Sequence, residues 1–139
     1  MNNLNLLYCL LFGLISIIAC KKEATPTPTP TPTPKTPLEL LKTGTWKIKS
    51  FKVANIEASS ACDRDDTMAF GTQLTYNYGT NRCDPSEPVA DFFDYSLSSD
   101  GKTLDIVGLY TANVTTLTAS SLVIEAPING VETVFTMSK

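Results

Sequence analysis

Seven side chains of this 139-residue chain have the type and spacing to do chemistry: Cys9, Cys20, Cys62, Cys83, Asp63, Asp65 and Asp66. A cysteine thiolate attacks electrophiles, binds soft metals or forms a disulfide. Clustered carboxylates bind hard cations or shuttle protons. Cys62 and Cys83 each have an arginine neighbour, Arg64 and Arg82, but they lack the Cys-x-x-Cys spacing of a redox dithiol. Asp63-x-Asp65 has the alternation of a calcium loop, without its sixth-position glycine or twelfth-position glutamate. A solvated loop that turns the chain into a strand is the favoured reading of these acids. No spacing singles out a carboxylate pair for glycoside hydrolysis. The chain has no histidine, which excludes His-based triads and His-ligated zinc. We therefore expect no enzyme, no cofactor and no metal.

These residues sit on three regions of different composition. Leu6 to Ala19 is a run of 14 uncharged residues. A lone membrane-spanning helix needs about 20, whereas this length suits the core of an export signal. It ends Ile17-Ile18-Ala19-Cys20, followed by Lys21-Lys22-Glu23. That order resembles the lipobox of bacterial lipoproteins. The resemblance implies cleavage before Cys20, diacylglycerol on its thiol and attachment to the membrane through acyl chains. Two or three chains give stable anchoring where one does not. Met1 to Asn5 carries no Lys or Arg, so an uncleaved anchor or an ordinary secretory signal is the competing reading. The Lys-Lys-Glu start resembles lipoproteins of the Bacteroidetes and implies an outer-membrane address, on either face. Residues 1–19 are then a signal peptide. Cys9 is lost with it, and Cys62 and Cys83 remain in an oxidising compartment, where an even pair points to one disulfide.

Residues 20–37 carry five Thr-Pro repeats from Thr25 to Pro34 and a sixth at Thr36-Pro37. Proline fixes φ and removes amide donors, which leaves extended polyproline II at about 3.1 Å per residue. Residues 21–37 could span on the order of 50 Å as a stalk. Thr/Pro tracts of this kind can carry O-glycans.

Residues 38–139 form the remaining domain. It has 8 basic and 13 acidic residues, a balance that argues against nucleic acid. Leu38-Glu39-Leu40-Leu41 reads as a helical turn ended by Gly44. Eight strand-like segments follow, at 45–53, 67–70, 73–78, 92–97, 103–107, 113–117, 121–125 and 131–137. They are split by Gly71-Thr72, Ser99-Asp100-Gly101, Thr118-Ala119-Ser120 and Asn129-Gly130. Asn-Gly and Asp-Gly are strong hairpin signals. No segment is followed by a helix long enough for a parallel crossover. The expected fold is all-β: one small antiparallel up-and-down meander of about eight strands, closing into a barrel to remove its edges.

Gly44-Thr45-Trp46 after a short helix resembles the Gly-x-Trp signature of lipocalins. More of the chain is similar to small lipocalin-like lipoproteins of the Bacteroidetes. The pieces that carry this are Leu41-x-x-Gly44-x-Trp46-Lys47, Cys62-Asp63-x-Asp65-Asp66, Cys83-Asp84-Pro85, and Tyr95-x-Leu97-Ser98-x-Asp100-Gly101-Lys102-x-Leu104. The resemblance implies a lipocalin-like barrel with Gly44 and Trp46 at its base. The Thr-Asp-Tyr motif of lipocalins is absent, and no arginine near the last strand covers the tryptophan. Lys139, at the terminus, reads as a poor substitute. Asp66-Thr67-Met68 also resembles a short Bacteroidetes O-glycosylation sequon.

Alternation places ten side chains toward the barrel interior: Trp46, Ile48, Phe93, Tyr95, Leu97, Leu104, Ile106, Leu117, Leu122 and Ile124. Trp46 reads as core and the other nine as candidates to line a ligand cavity. The leading expectation is a lipid-anchored envelope protein whose barrel binds a small apolar ligand. The alternative is a ligand-free structural or protein-interaction domain displayed on a stalk. A cavity of a few hundred Å3 separates them.

Overall fold

The first folded element begins inside the last Thr-Pro pair. In a computed structural model, which describes residues 33–139, α1 spans Pro37–Lys42. Thr36 caps it: its hydroxyl accepts from the Glu39 amide at 3.2 Å, and the Glu39 carboxylate accepts from the Thr36 amide at 2.7 Å. This is a capping box with proline in the first turn. Thr36-Pro37, read from sequence as stalk, is therefore the start of the domain. The expected signal peptide, Cys20 and the repeats up to residue 32 lie outside the described residues. Among the described residues, no helix is long and apolar enough to cross a membrane.

The strands are β1 (Thr45–Val53), β2 (Ile56–Glu57), β3 (Thr67–Phe70), β4 (Leu74–Asn77), β5 (Ala90–Phe93) and β6 (Tyr95–Leu97). They continue with β7 (Thr103–Ile106), β8 (Tyr110–Leu117), β9 (Ser121–Ile128) and β10 (Val131–Ser138). All pair antiparallel in one sheet, in the order β5-β4-β3-β1-β10-β9-β8-β7-β6, with β2 on β1. The first and last strands of that path are neighbours in sequence. They are the two halves of the segment expected at 92–97, broken at Asp94. One half pairs with β4 and the other with β7, so the sheet curls into a nearly closed barrel. Asp94 holds the seam: its carbonyl accepts from the Val107 amide at 2.9 Å and its carboxylate from Gln73 Nε2 at 3.0 Å.

The up-and-down course sets two ends. At the base lie α1, the turns after β3, β6 and β8, and Lys139. At the mouth lie the turns after β1, β7 and β9, and the loop 78–89. Asn129-Gly130 makes the expected hairpin, with φ of 52° and 77°. These are the two left-handed residues that match the strand twist. The β1–β2 hairpin was not foreseen, because Ala54 stands at φ 50° and alanine is a poor signal for that turn.

Two bulges rephase the interior. In β1, Ile48 faces Met137, then the register slips and Phe51 faces Phe135. In β8, Val114 faces Ile124, then the register slips and Leu117 faces Leu122. One extra residue moves the following side chains to the other face, so Phe51 and Leu117 join the interior. The core is built from Leu41, Trp46, Ile48, Met68, Phe70, Leu74, Leu104, Ile106, Leu122, Ile124 and Met137, with Ala112 and Ala126.

Candidate functional site at the barrel mouth

The base is sealed by packing. Trp46 is fully buried, and its Nε1 donates to the Leu41 carbonyl at 2.8 Å. Gly44 turns the chain from α1 into β1 at φ 79°, a backbone region that a Cβ disfavours. Lys139 corrects the sequence reading. Its Nζ lies 3.9 Å from the centre of the Trp46 ring and donates to the Leu40 carbonyl at 3.1 Å. The terminus can do this because the Lys139 amide donates to the Ser120 carbonyl at 3.2 Å. A cation over the tryptophan face is a stabilising contact.

The mouth is not filled. A cavity of about 230 Å3 opens there. Its floor is Met68, Leu74 and Ile106, and Leu109 stands at its edge. Five aromatic rings make the walls: Tyr76, Tyr78, Phe93, Tyr110 and Phe135. Tyr76 and Tyr78 meet edge to face with centroids 4.8 Å apart. Tyr110 and Phe135 lie nearly parallel at 6.5 Å, and Phe51 backs Phe135 at 5.8 Å. Strand alternation explains the placement. Residues 74, 76 and 78 share one face of the β4 segment, and residues 91, 93, 95 and 97 share one phase of β5 and β6.

Two carboxylates sit behind the phenols. Tyr76 Oη donates to Asp66 at 2.6 Å, and Asp66, itself buried, also accepts from the Gly79 amide at 2.9 Å. Tyr78 Oη donates to Asp91 at 2.7 Å. Asp91 is the cross-strand partner of Tyr76 and shares its face. Burial and then the bond to Asp66 push the Tyr76 phenol far above its ordinary range. The bond to Asp91 and then burial push Tyr78 up to about 12. Burial alone takes Tyr110 to about 12. All three are neutral phenols at physiological pH.

The loops at the mouth are stapled to one another. Cys62 and Cys83 form the expected disulfide, with Cα atoms 5.3 Å apart. The acidic cluster is a turn that leads into β3, as expected from sequence, and its carboxylates are also hydrogen-bond acceptors, with Asp66 buried where a solvated acid was expected. Asp63 accepts from the Ser60 amide at 2.6 Å. Asp65 accepts from the Thr80 and Asn81 amides at 2.9 and 3.0 Å, which holds its carboxyl below the usual range. Gly79 packs so closely on Asp65 that a Cβ there would collide with the carboxylate. Cys62, Asp63 and Cys83 lie together, but both sulfurs belong to the disulfide, so neither is a thiolate ligand.

Of the nine residues expected to line a cavity, Phe93 and Ile106 line this one, while Tyr95 and Leu97 line a cleft of about 260 Å3 and Leu117 one of about 200 Å3, both beside α1. Ile48, Leu104, Leu122 and Ile124 are fully buried in the core, and Tyr95, Leu97 and Leu117 pack partly buried against it. The tyrosines and Phe135 were not singled out from sequence. The pattern Leu74-x-Tyr76-x-Tyr78, alternating apolar and aromatic residues on one face, carried the signal. Thr67 lies within β3, between Lys47 and Asn77. The chain matches no known family model, no curated protein and no solved structure.

Proposed function

We propose that this chain is a lipid-anchored envelope protein whose barrel takes a small, largely apolar ligand in its mouth. The observation that carries the reading is the cavity of about 230 Å3 at the mouth, whose walls are five aromatic rings; the other clefts of the described residues have mixed polar linings. Concave, mostly apolar sites with a few placed polar groups are the usual form of a small-molecule pocket. This one lies below the ~300–1,000 Å3 typical of drug-sized ligands, so it suits a small molecule or the head of a longer one. The lipobox-like Ile17-Ile18-Ala19-Cys20 and the Thr-Pro stretch support the anchor and the envelope address. The up-and-down barrel with Gly44 and Trp46 at its base supports the likeness to lipocalin-like lipoproteins.

Titration with the neutral fluorophore N-phenyl-1-naphthylamine tests the site. We expect saturable enhancement at one site, lost in Leu109→Asp; Leu109 is 55 % exposed, so that change leaves the fold intact. Non-saturable enhancement, or the same curve for the variant, would overturn the reading. The anchor is tested separately: a palmitate analogue should label the wild type and not Cys20→Ser. A second reading, docking of a protein partner, is favoured by the exposed Ile56, Val89 and Val107 near the same end.

A further inference from the structure

We propose that the mouth is selective for a small organic cation, an ammonium head group on a short apolar body, over neutral or anionic ligands of the same shape. This rests on the reading of the mouth as a ligand site and names its ligand class.

An aromatic ring presents a negative face, and several rings around one volume form the type of cage that recognises alkylated ammonium groups. Here Tyr76, Tyr78, Phe93, Tyr110 and Phe135 come from four strands and one loop edge. Tyr76 and Tyr78 donate their hydroxyls to Asp66 and Asp91. Hydrogen-bonding a phenol to a carboxylate moves electron density into its ring and strengthens the negative face. Asp91 stands on the barrel-facing side beside Tyr76 and is only partly buried.

Among the described residues that line the cavity, none is Lys or Arg. Of the cations on the neighbouring loops, Arg82 donates to the Glu87 carbonyl at 2.7 Å, and Arg64 donates to Ser59 and lies 3.9 Å from Glu57. Burial is the largest cause of the Tyr76 shift and the bond to Asp91 the largest at Tyr78; beyond these, the charges of Asp91, Glu87 and Asp66 act on Tyr78 and those of Asp66 and Asp63 on Tyr76. That carboxylate contribution opposes a bound carboxylate and favours an ammonium. A fatty acid seated head-first would bring its anion to phenols already bonded to Asp66 and Asp91, with no Lys or Arg among the lining residues to meet it.

Choline and its carbon isostere 3,3-dimethylbutan-1-ol differ by the charge at one quaternary centre and nearly nothing in shape. Both should be titrated into the full chain in a maltoside detergent, reading the aromatic NMR signals of the mouth. We expect choline to bind at least about fivefold more tightly, the equivalent of one good cation–π contact. Asp91→Asn keeps an acceptor for Tyr78 and removes the charge. It should weaken choline about three- to tenfold and leave the alcohol unchanged. If the alcohol binds as tightly as choline or more so, the cation preference is wrong while the mouth stands as an apolar site. If neither ligand shifts the mouth signals, both the preference and the ligand site fall.

Discussion

At the base of the barrel Trp46 is fully buried, its indole N–H has a carbonyl partner, and Lys139 closes the ring face. At the mouth the same barrel leaves five aromatic rings around an open volume and ties the hydroxyls of two of them, Tyr76 and Tyr78, to Asp66 and Asp91. The strands run through both ends, so the contrast comes from side chains and loops. The base has α1 as a lid, with Leu41 buried under it. Among the described residues the mouth has no α-helix over it, only a 3-10 turn at Asp63–Asp65, and its loops are held by Asp63, Asp65, Asp66 and the disulfide. Aromatic side chains are therefore placed differently at the two ends: Trp46 is packed into the core, whereas the mouth rings surround an open volume.

The contrast breaks most visibly at the base. Trp46→Ala should cost about 3–5 kcal/mol, because a large side chain leaves a cavity that the sheet cannot collapse into. Urea unfolding would measure it, and the folded fraction should retain the binding properties of the mouth. The next largest effect belongs to the mouth loops. Replacing Cys62 and Cys83 with serine opens a loop of about 20 residues and should lower stability by about 3 kcal/mol. The same experiment with a ligand titration should show a weakened mouth, since loop 78–89 carries Tyr78.

High pH probes the mouth without mutation. Tyr78 and Tyr110 have folded pKa values near 12, above the unfolded value of 10.0. Folding favours the protonated phenol, so this stabilisation is full below pH 10 and disappears as pH rises toward 12. Tyr110 alone should remove about 1 kcal/mol between pH 10 and 11; Tyr78, largely solvent-screened, should remove less. Denaturation midpoints across that range would record it. The smallest effect is at the base again. Lys139→Met keeps the aliphatic stem and removes the cation, and should cost about 0.5–1 kcal/mol in the same unfolding assay.

Much of this was legible in the sequence because strand alternation is a local signal. All ten side chains assigned to the interior are in the core or pack against it, and the Asn129-Gly130 hairpin followed from its own two residues. What was missed depended on pairing between distant segments. The slips opposite Lys49 and Thr115 exist only relative to β10 and β9, and nothing local marks them. The break at Asp94 arises because one strand must satisfy two neighbours. The bond between Tyr76 and Asp66 needs the β3–β4 register. Lys139 was undervalued because a terminus frays unless it is held, and the Ser120 carbonyl holds this one. Asp91 could have been found: two residues before Phe93, it is an acid on the inward phase of an apolar strand. Such a residue is either stabilised by a partner or placed for a ligand.

We propose that the two ends of the barrel divide packing from recognition. The most direct measurement is an NMR map of the side chains that shift when a small apolar probe such as cyclohexanol saturates the protein. The account predicts shifts at Tyr76, Phe93, Tyr110 and Phe135, with the Trp46 indole N–H unmoved. Shifts centred on Trp46, or no saturable shift at the mouth, would contradict it.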